Sequence, residues 1–375
     1  MLKRVSIQNF KSLKDVTLDL QKVNLLIGPN NSGKTNFLKA LEFCYDSEPF
    51  GELFRKNKQA KMQFFLDDLA RKKAQEESKK FKSIVFKKDN QLHISLNLLF
   101  SDISEPFTIN WGVDARLINQ NFNDKNIDSS LNEREFHSLL SALGNIQIFR
   151  PDPNKLIQPG PVGIGANIVN ADASNLVGFL DLMLGKYRRT VFNRIESDLH
   201  TCISEFDEIN LDDASLTEDI KNKSLKRIGL TNSKQDITYW ADELSEGTLY
   251  FLALLCIINQ PNPPKLLLLE EPEKGIHPRR IAEIINFIFG LVDDKDIQVI
   301  MTTHSPAVVD MFKDMPESVF IFDKDDEGAT HVKNLQKDII EPETDESKKL
   351  GFDPPRYLDG LGEAWKVGLL GGVPR

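Results

Sequence analysis

Gly28-Pro29-Asn30-Asn31-Ser32-Gly33-Lys34-Thr35 fits the pattern G-x-x-x-x-G-K-[ST] at every fixed position. An apolar run, Val23 to Ile27, leads into it, and Asn36 to Phe43 leads out with apolar residues at helical spacing. The stretch predicts a buried strand, a loop and a helix, in that order. A loop at a helix N-terminus aims several backbone N–H groups at one point, and the helix dipole adds positive potential there. Glycines let the backbone close around phosphate oxygens, Lys34 can reach the outer phosphates, and the Thr35 hydroxyl can hold a magnesium ion. Gly28 to Asn36 is thus the candidate phosphate-binding segment.

Three later stretches have related chemistry. Leu244-Ser245-Glu246-Gly247-Thr248 opens an apolar helical segment, Leu249 to Ile258. It offers a second helix N-terminus, with a hydroxyl and a glycine in front, which is either another anion site or a plain serine cap. Lys265 to Leu269 reads as a buried strand that ends in Glu270-Glu271-Pro272-Glu273. Glu270 is placed to hold magnesium, and Glu271, one residue on, to polarise an attacking water. Gln298 to Thr302 is a further buried strand, followed by Thr303-His304-Ser305-Pro306. A neutral imidazole there can hydrogen-bond a terminal phosphate or the attacking water. Taken alone, such a histidine is more often satisfied structure.

Together with Asn9-Phe10-Lys11-Ser12 between the first strands, these motifs resemble the ABC-type ATPases of the SMC, RecF and OLD-like group. The resemblance implies an α/β fold, an ABC-ATPase head with a mixed sheet around the phosphate loop. It implies ATP and Mg2+ as cofactors, with Lys11 approaching the nucleotide, Glu270 and Thr35 holding the metal, Glu271 acting on water and His304 sensing the γ-phosphate. It also implies that Ser245 and Gly247 cap the nucleotide of a second subunit, so that a homodimer, or a higher oligomer, sandwiches ATP between heads. The glutamine that such ATPases place between the two motif blocks is left open between Gln91 and Gln147. Lys274-Gly275-Ile276-His277-Pro278 matches the segment after the acidic pair, which makes His277 structural or interfacial.

The 375 residues carry a formal charge of −9, and 40% are hydrophobic. Cys44, Cys202 and Cys256 lie far apart, which argues for reduced thiols in the cytoplasm, and no aliphatic run is long enough to span a bilayer. Residues 55–88 hold twelve Lys and Arg against four acids, a local balance of +8. Arg55, Lys56, Lys58, Lys61, Arg71, Lys72, Lys73, Lys79, Lys80, Lys82, Lys87 and Lys88 could grip a nucleic-acid backbone or an acidic partner, or form a solvated face. Met62, Phe65, Leu66 and Leu69 predict an amphipathic helix there. The expected layout is a core from 1–44 and 141–335, a smaller inserted α+β lobe at 45–140, and a linker and C-terminal tail at 336–375. Within that last part Pro342 to Lys349 reads as polar linker, and GLGEAWKVGLLGGVPR as a glycine-rich stretch able to dock.

No heptad repeat supports a long coiled-coil arm. The resemblance then favours a stand-alone bacterial ATPase that controls a nuclease or toxin in anti-phage defence. The alternative is a RecF- or SMC-like DNA-repair ATPase, with a transporter motor or an OLD-type nuclease behind it. The nuclease would need a metal site at Asp323-x-Asp325-Asp326, but Asp325 to Gly328 has hairpin-turn chemistry, with Thr330 to Val332 as the return strand.

Overall fold

Leu2–Phe10 buries Leu2, Val5, Ile7 and Phe10, with a register shift between Leu2 and Arg4 that breaks strict alternation, and turns at Lys11 and Ser12 into Leu13–Asp19. It is paired on both edges, with Leu13–Asp19 on one side and Ile94–Phe100 on the other, and Phe107–Trp111 beyond. The computed structural model describes residues 1–46, 82–89, 91–101, 106–111, 146–163, 167–214, 225–274 and 276–373. The helix expected around Met62 to Leu69 and the basic residues Arg55 to Lys80 lie outside them. The described strands of the inserted stretch, Ile94–Phe100 and Phe107–Trp111, belong to the same sheet as Leu2–Phe10.

The chain divides into two compact units, Met1–Ile146 with Asp296–Arg375, and Gln147–Lys295. In the first, a second sheet runs Thr330–Asn334, Val319–Lys324, Val23–Ile27, Gln298–Thr302. Val23–Ile27 is buried throughout and parallel to both of its neighbours in this unit, which is why it is a continuous apolar run. The helix Lys34–Asp46 lays Phe37, Leu38, Ala40 and Leu41 into the core, with Phe37 edge-on to Phe322 at 6.0 Å. Burying each such phenyl ring contributes roughly 1.5–3 kcal/mol. The hairpin Val319–Lys324/Thr330–Asn334 forms as its turn residues predict. Gly328 has a φ of +81°, and Asp325 Oδ1 accepts from the Ala329 amide.

Pro342 to Lys349 is not a linker but part of the helix Glu341–Leu350. Pro342 suits a first turn, and Glu341 and Glu343 precede Lys348 and Lys349 in the order the helix dipole favours. The helix buries no residue, so no apolar periodicity marks it in the sequence.

In the second unit Leu266–Glu270 pairs in parallel with Ile148–Phe149. A separate antiparallel sheet is built on Leu225–Asn232, which pairs with Ile237–Trp240, Gly160–Pro161 and Glu208–Asp213. The helix Glu246–Asn259 is buried from Thr248 to Asn259, the pattern of a helix covered on all sides. Phe251 packs against Phe287 of the helix Pro278–Lys295 at 4.9 Å. Tyr250 lies on the same buried helix, and its hydroxyl has no hydrogen-bond partner among the described residues. Burial, and then the nearby Glu273 carboxylate, raise its pKa. Tyr250→Phe removes an unsatisfied polar group and keeps the ring. It is expected to stabilise the protein by about 1–2 kcal/mol, read as a higher urea midpoint. A lower midpoint would show that the hydroxyl has a partner in solution.

Candidate nucleotide site

The phosphate loop leaves the sheet at the C-terminal end of Val23–Ile27. Gly28 turns there with a φ of +144°, and a Cβ on it would lie 2.2 Å from the Phe322 carbonyl oxygen. Gly33 has a φ of +112°, and its Cβ would lie 2.3 Å from Thr330 Oγ1. Both positions therefore require glycine for space as well as for backbone conformation. Asn31 adopts a left-handed conformation between them, and Lys324 Nζ donates to its side-chain oxygen at 3.1 Å. The Phe37 amide then donates to the Gly33 carbonyl, which starts the helix.

A chain of four polar groups fixes the loop. Asn36 Nδ2 donates to Ser12 Oγ at 2.9 Å, and Ser12 Oγ and Thr330 Oγ1 are 2.8 Å apart. Thr330 Oγ1 donates to the Ser32 carbonyl at 2.9 Å, which orients the Ser12 hydroxyl toward Thr330. The Thr330 amide also donates to the Ser12 carbonyl. Neither Ser12 nor Thr330 stood out as a site residue in the sequence. Thr330→Val keeps the shape but leaves the Ser32 carbonyl and the Ser12 hydroxyl without that partner in a buried place. It is expected to cost about 1–3 kcal/mol in a urea titration without nucleotide; an unchanged midpoint would refute the relay.

Lys34 is 5% exposed, and its Nζ donates to the Gly28 and Pro29 carbonyls at 2.6 and 2.9 Å. The ammonium is thus held at the mouth of the loop by the loop itself. Thr35 is half-buried in the first helical turn. The loop suits a phosphate group, since Ser32 Oγ is buried with no partner among the described residues, beside a backbone that only glycine can follow. His304 follows Gln298–Thr302, which is parallel to Val23–Ile27 in register, so His304 and the loop emerge at the same sheet edge. Lys11 has a φ of +51° at its turn. Burial and then the charge of Lys39 lower its pKa.

Glu270, Glu271, Ser245 and Gly247 belong to the second unit. Glu270 ends its strand in an ion pair with Arg150, which follows the paired strand Ile148–Phe149. Arg150 thus stands at the end of the strand beside the acidic pair. Gln147 precedes that strand, with its side-chain oxygen buried and unpartnered among the described residues, and Gln91 is exposed in the first unit. Glu271 is held at a φ of +49°, a conformation that costs a non-glycine residue and concentrates at functional sites. Ser245 caps the helix Glu246–Asn259, accepting from the Thr248 amide at 3.2 Å. A Cβ on Gly247 would meet Ile276 at 3.4 Å, so the first helical turn rests on the segment after the acidic pair. Ser245, Gly247, Ile276 and Phe287 share the lining of a pocket of about 630 Å³.

Asp325 is taken up by its own turn and by His331, 2.9 Å from its second oxygen, and the hydrogen bond to His331 leads the lowering of its pKa. Among the described residues no helix is long and apolar enough to cross a membrane.

Residues 23–310 match the family described as "AAA domain, putative AbiEii toxin, Type IV TA system". A protein of Helicobacter pylori called an ATP/GTP phosphatase is 22% identical over 83% of this chain and 87% of its own length. A Bacillus cereus energy-coupling factor transporter ATP-binding protein is 24% identical over 55% of this chain and 68% of its own. Endonuclease GajA of Bacillus cereus is 34% identical over 22% of this chain, which spans 15% of that protein.

Proposed function

The chain belongs to this AAA-domain family and is a P-loop ATPase, and from that premise we propose that it is an ATP-driven dimerisation switch controlling a nuclease or toxin partner in bacterial anti-phage defence. One observation carries the switch. Ser245 caps a helix N-terminus, with Gly247 in its first turn, in the compact unit that does not contain Gly28 to Thr35. We read this end as serving the nucleotide of a second copy. In this reading Gly28 to Asn36 hold the phosphates, Lys11 adds positive potential, Ser245 and Gly247 close the partner's site, and His304 reports the γ-phosphate. Thr35 and Glu270 would hold Mg2+, which supplies charge neutralisation. Glu271 orients the attacking water and accepts its proton.

The control of an effector is supported by the toxin system in the family's description and by the similarity to an endonuclease. The experiment is phage plating on cells that carry the gene with its neighbours, comparing wild type with Lys34→Ala. Protection that vanishes with the variant supports the proposal. Protection that persists without ATP binding contradicts it.

The +8 segment favours a second reading, an ATPase that engages DNA. Reversing Arg71, Lys72 and Lys73 together then abolishes a salt-sensitive association with duplex DNA. Unchanged binding would remove that segment as the site.

A further inference from the structure

The glycine-rich stretch singled out in the sequence has a definite place in the first unit. The short helix Leu361–Lys366 packs on Pro306–Asp310, the helix that follows His304. The contact is close. The Gly362 amide donates to Asp310 Oδ1 at 2.7 Å, and a Cβ on Gly362 would lie 2.2 Å from the Pro306 carbonyl oxygen. Trp365 is 6% exposed and donates from its indole nitrogen to the Gly372 carbonyl at 3.1 Å. Gly368, Gly371 and Gly372 all have positive φ, which folds the chain back between them. Gly372 itself is buried against the strand Val319–Lys324, beside the first glycine of the phosphate loop. Its Cβ would lie 2.6 Å from Ile321 Cγ2 and 3.5 Å from Gly28 Cα.

We propose that Trp365 and Gly372 are positioning residues of the nucleotide site: the stretch Leu361–Val373 ties the segment carrying His304 to the first glycine of the phosphate loop. This rests on the ATPase reading and deepens it. Gly28 is pressed on one side by Phe322 and approached by Gly372, so its backbone direction depends on both. That direction sets where the loop amides point, and a displacement of about 1 Å at such a site can cost a hundredfold. At its other end the stretch holds the helix through which His304 is placed. Closure of the loop on phosphate and movement of His304 are then coupled through one indole and one glycine.

The test is the affinity of a ribose-labelled fluorescent ATP with Mg2+, measured beside the nucleotide-free melting temperature. Gly372→Ala places a methyl group against Ile321 at a left-handed φ, and is expected to raise Kd by about tenfold. Trp365→Phe keeps an aromatic ring at the position but loses the indole N–H that bonds the Gly372 carbonyl, and is expected to raise Kd by about threefold. In turnover, Trp365→Phe and His304→Gln should be non-additive. Wild-type Kd in both variants overturns the proposal, as does a fall in melting temperature with Kd unmoved, the mark of a merely structural role. If Gly372→Ala does not fold, Trp365→Phe decides alone. If wild type fails to bind the probe, the ATPase reading falls and takes this one with it. If wild type binds and both variants bind equally well, only the coupling falls.

Discussion

Lys34→Ala is expected to lower ATP turnover by about two to three powers of ten, the cost of removing one preorganised positive group from a charge-developing centre. Lys34 is almost fully buried, and its ammonium donates to two loop carbonyls. It is therefore held within the loop and needs little rearrangement to meet a phosphate. Binding should weaken as well. Wild type at a hundredfold excess of nucleotide over Kd gains about 2.7 kcal/mol of stability by linkage, and the variant should lose most of that gain in a melting experiment. Lys34→Arg is not expected to restore activity, since a planar guanidinium does not replace a compact ammonium in a closed glycine loop. Turnover within threefold of wild type in Lys34→Ala would rule out this loop as the phosphate site.

Glu271→Gln should separate binding from chemistry. The amide keeps the size and the left-handed backbone at φ +49° but cannot take a proton. Loss of a general base typically costs about 10²–10⁴ in rate, so turnover should fall in that range while ATP affinity stays near wild type. Glu270→Gln should behave differently. Glu270 is the partner of Arg150, and neutralising it leaves a guanidinium without its carboxylate as well as weakening any Mg2+ site. A drop in stability together with a higher Mg2+ requirement would mark that residue. If Glu271→Gln instead loses ATP binding and keeps the catalytic rate on bound nucleotide, the two acids have exchanged roles.

Local chemistry made much of this legible in advance. Val23–Ile27, Gln298–Thr302 and the strand before the acidic pair show as apolar runs because both faces of each are covered. The phosphate loop shows because Gly28 and Gly33 meet steric demands that no other residue satisfies. The hairpin after Lys324 shows through its Asp and Gly turn residues. What stayed hidden depends on partners far apart in sequence. Ser12 and Thr330 are 318 positions apart, and nothing near either one announces the bond between them. Arg150 reads as an arginine before a proline until its strand is seen beside Leu266–Glu270. The helix Glu341–Leu350 buries nothing, so it shows only through Pro342 in its first turn and the charge order at its ends. The glycines at 368, 371 and 372 suggested tight contacts, but only the fold shows that one of those contacts is Gly28.

The central claim is that ATP joins two copies through the phosphate loop of one and the Ser245–Gly247 helix end of the other. The most direct measurement is the solution mass of Glu271→Gln, by light scattering, with and without Mg-ATP. The account predicts a mass that doubles with Mg-ATP and stays at the starting value with Lys34→Ala added. A mass that does not change while ATP is bound tightly would contradict it, and would leave Ser245 as no more than a helix cap.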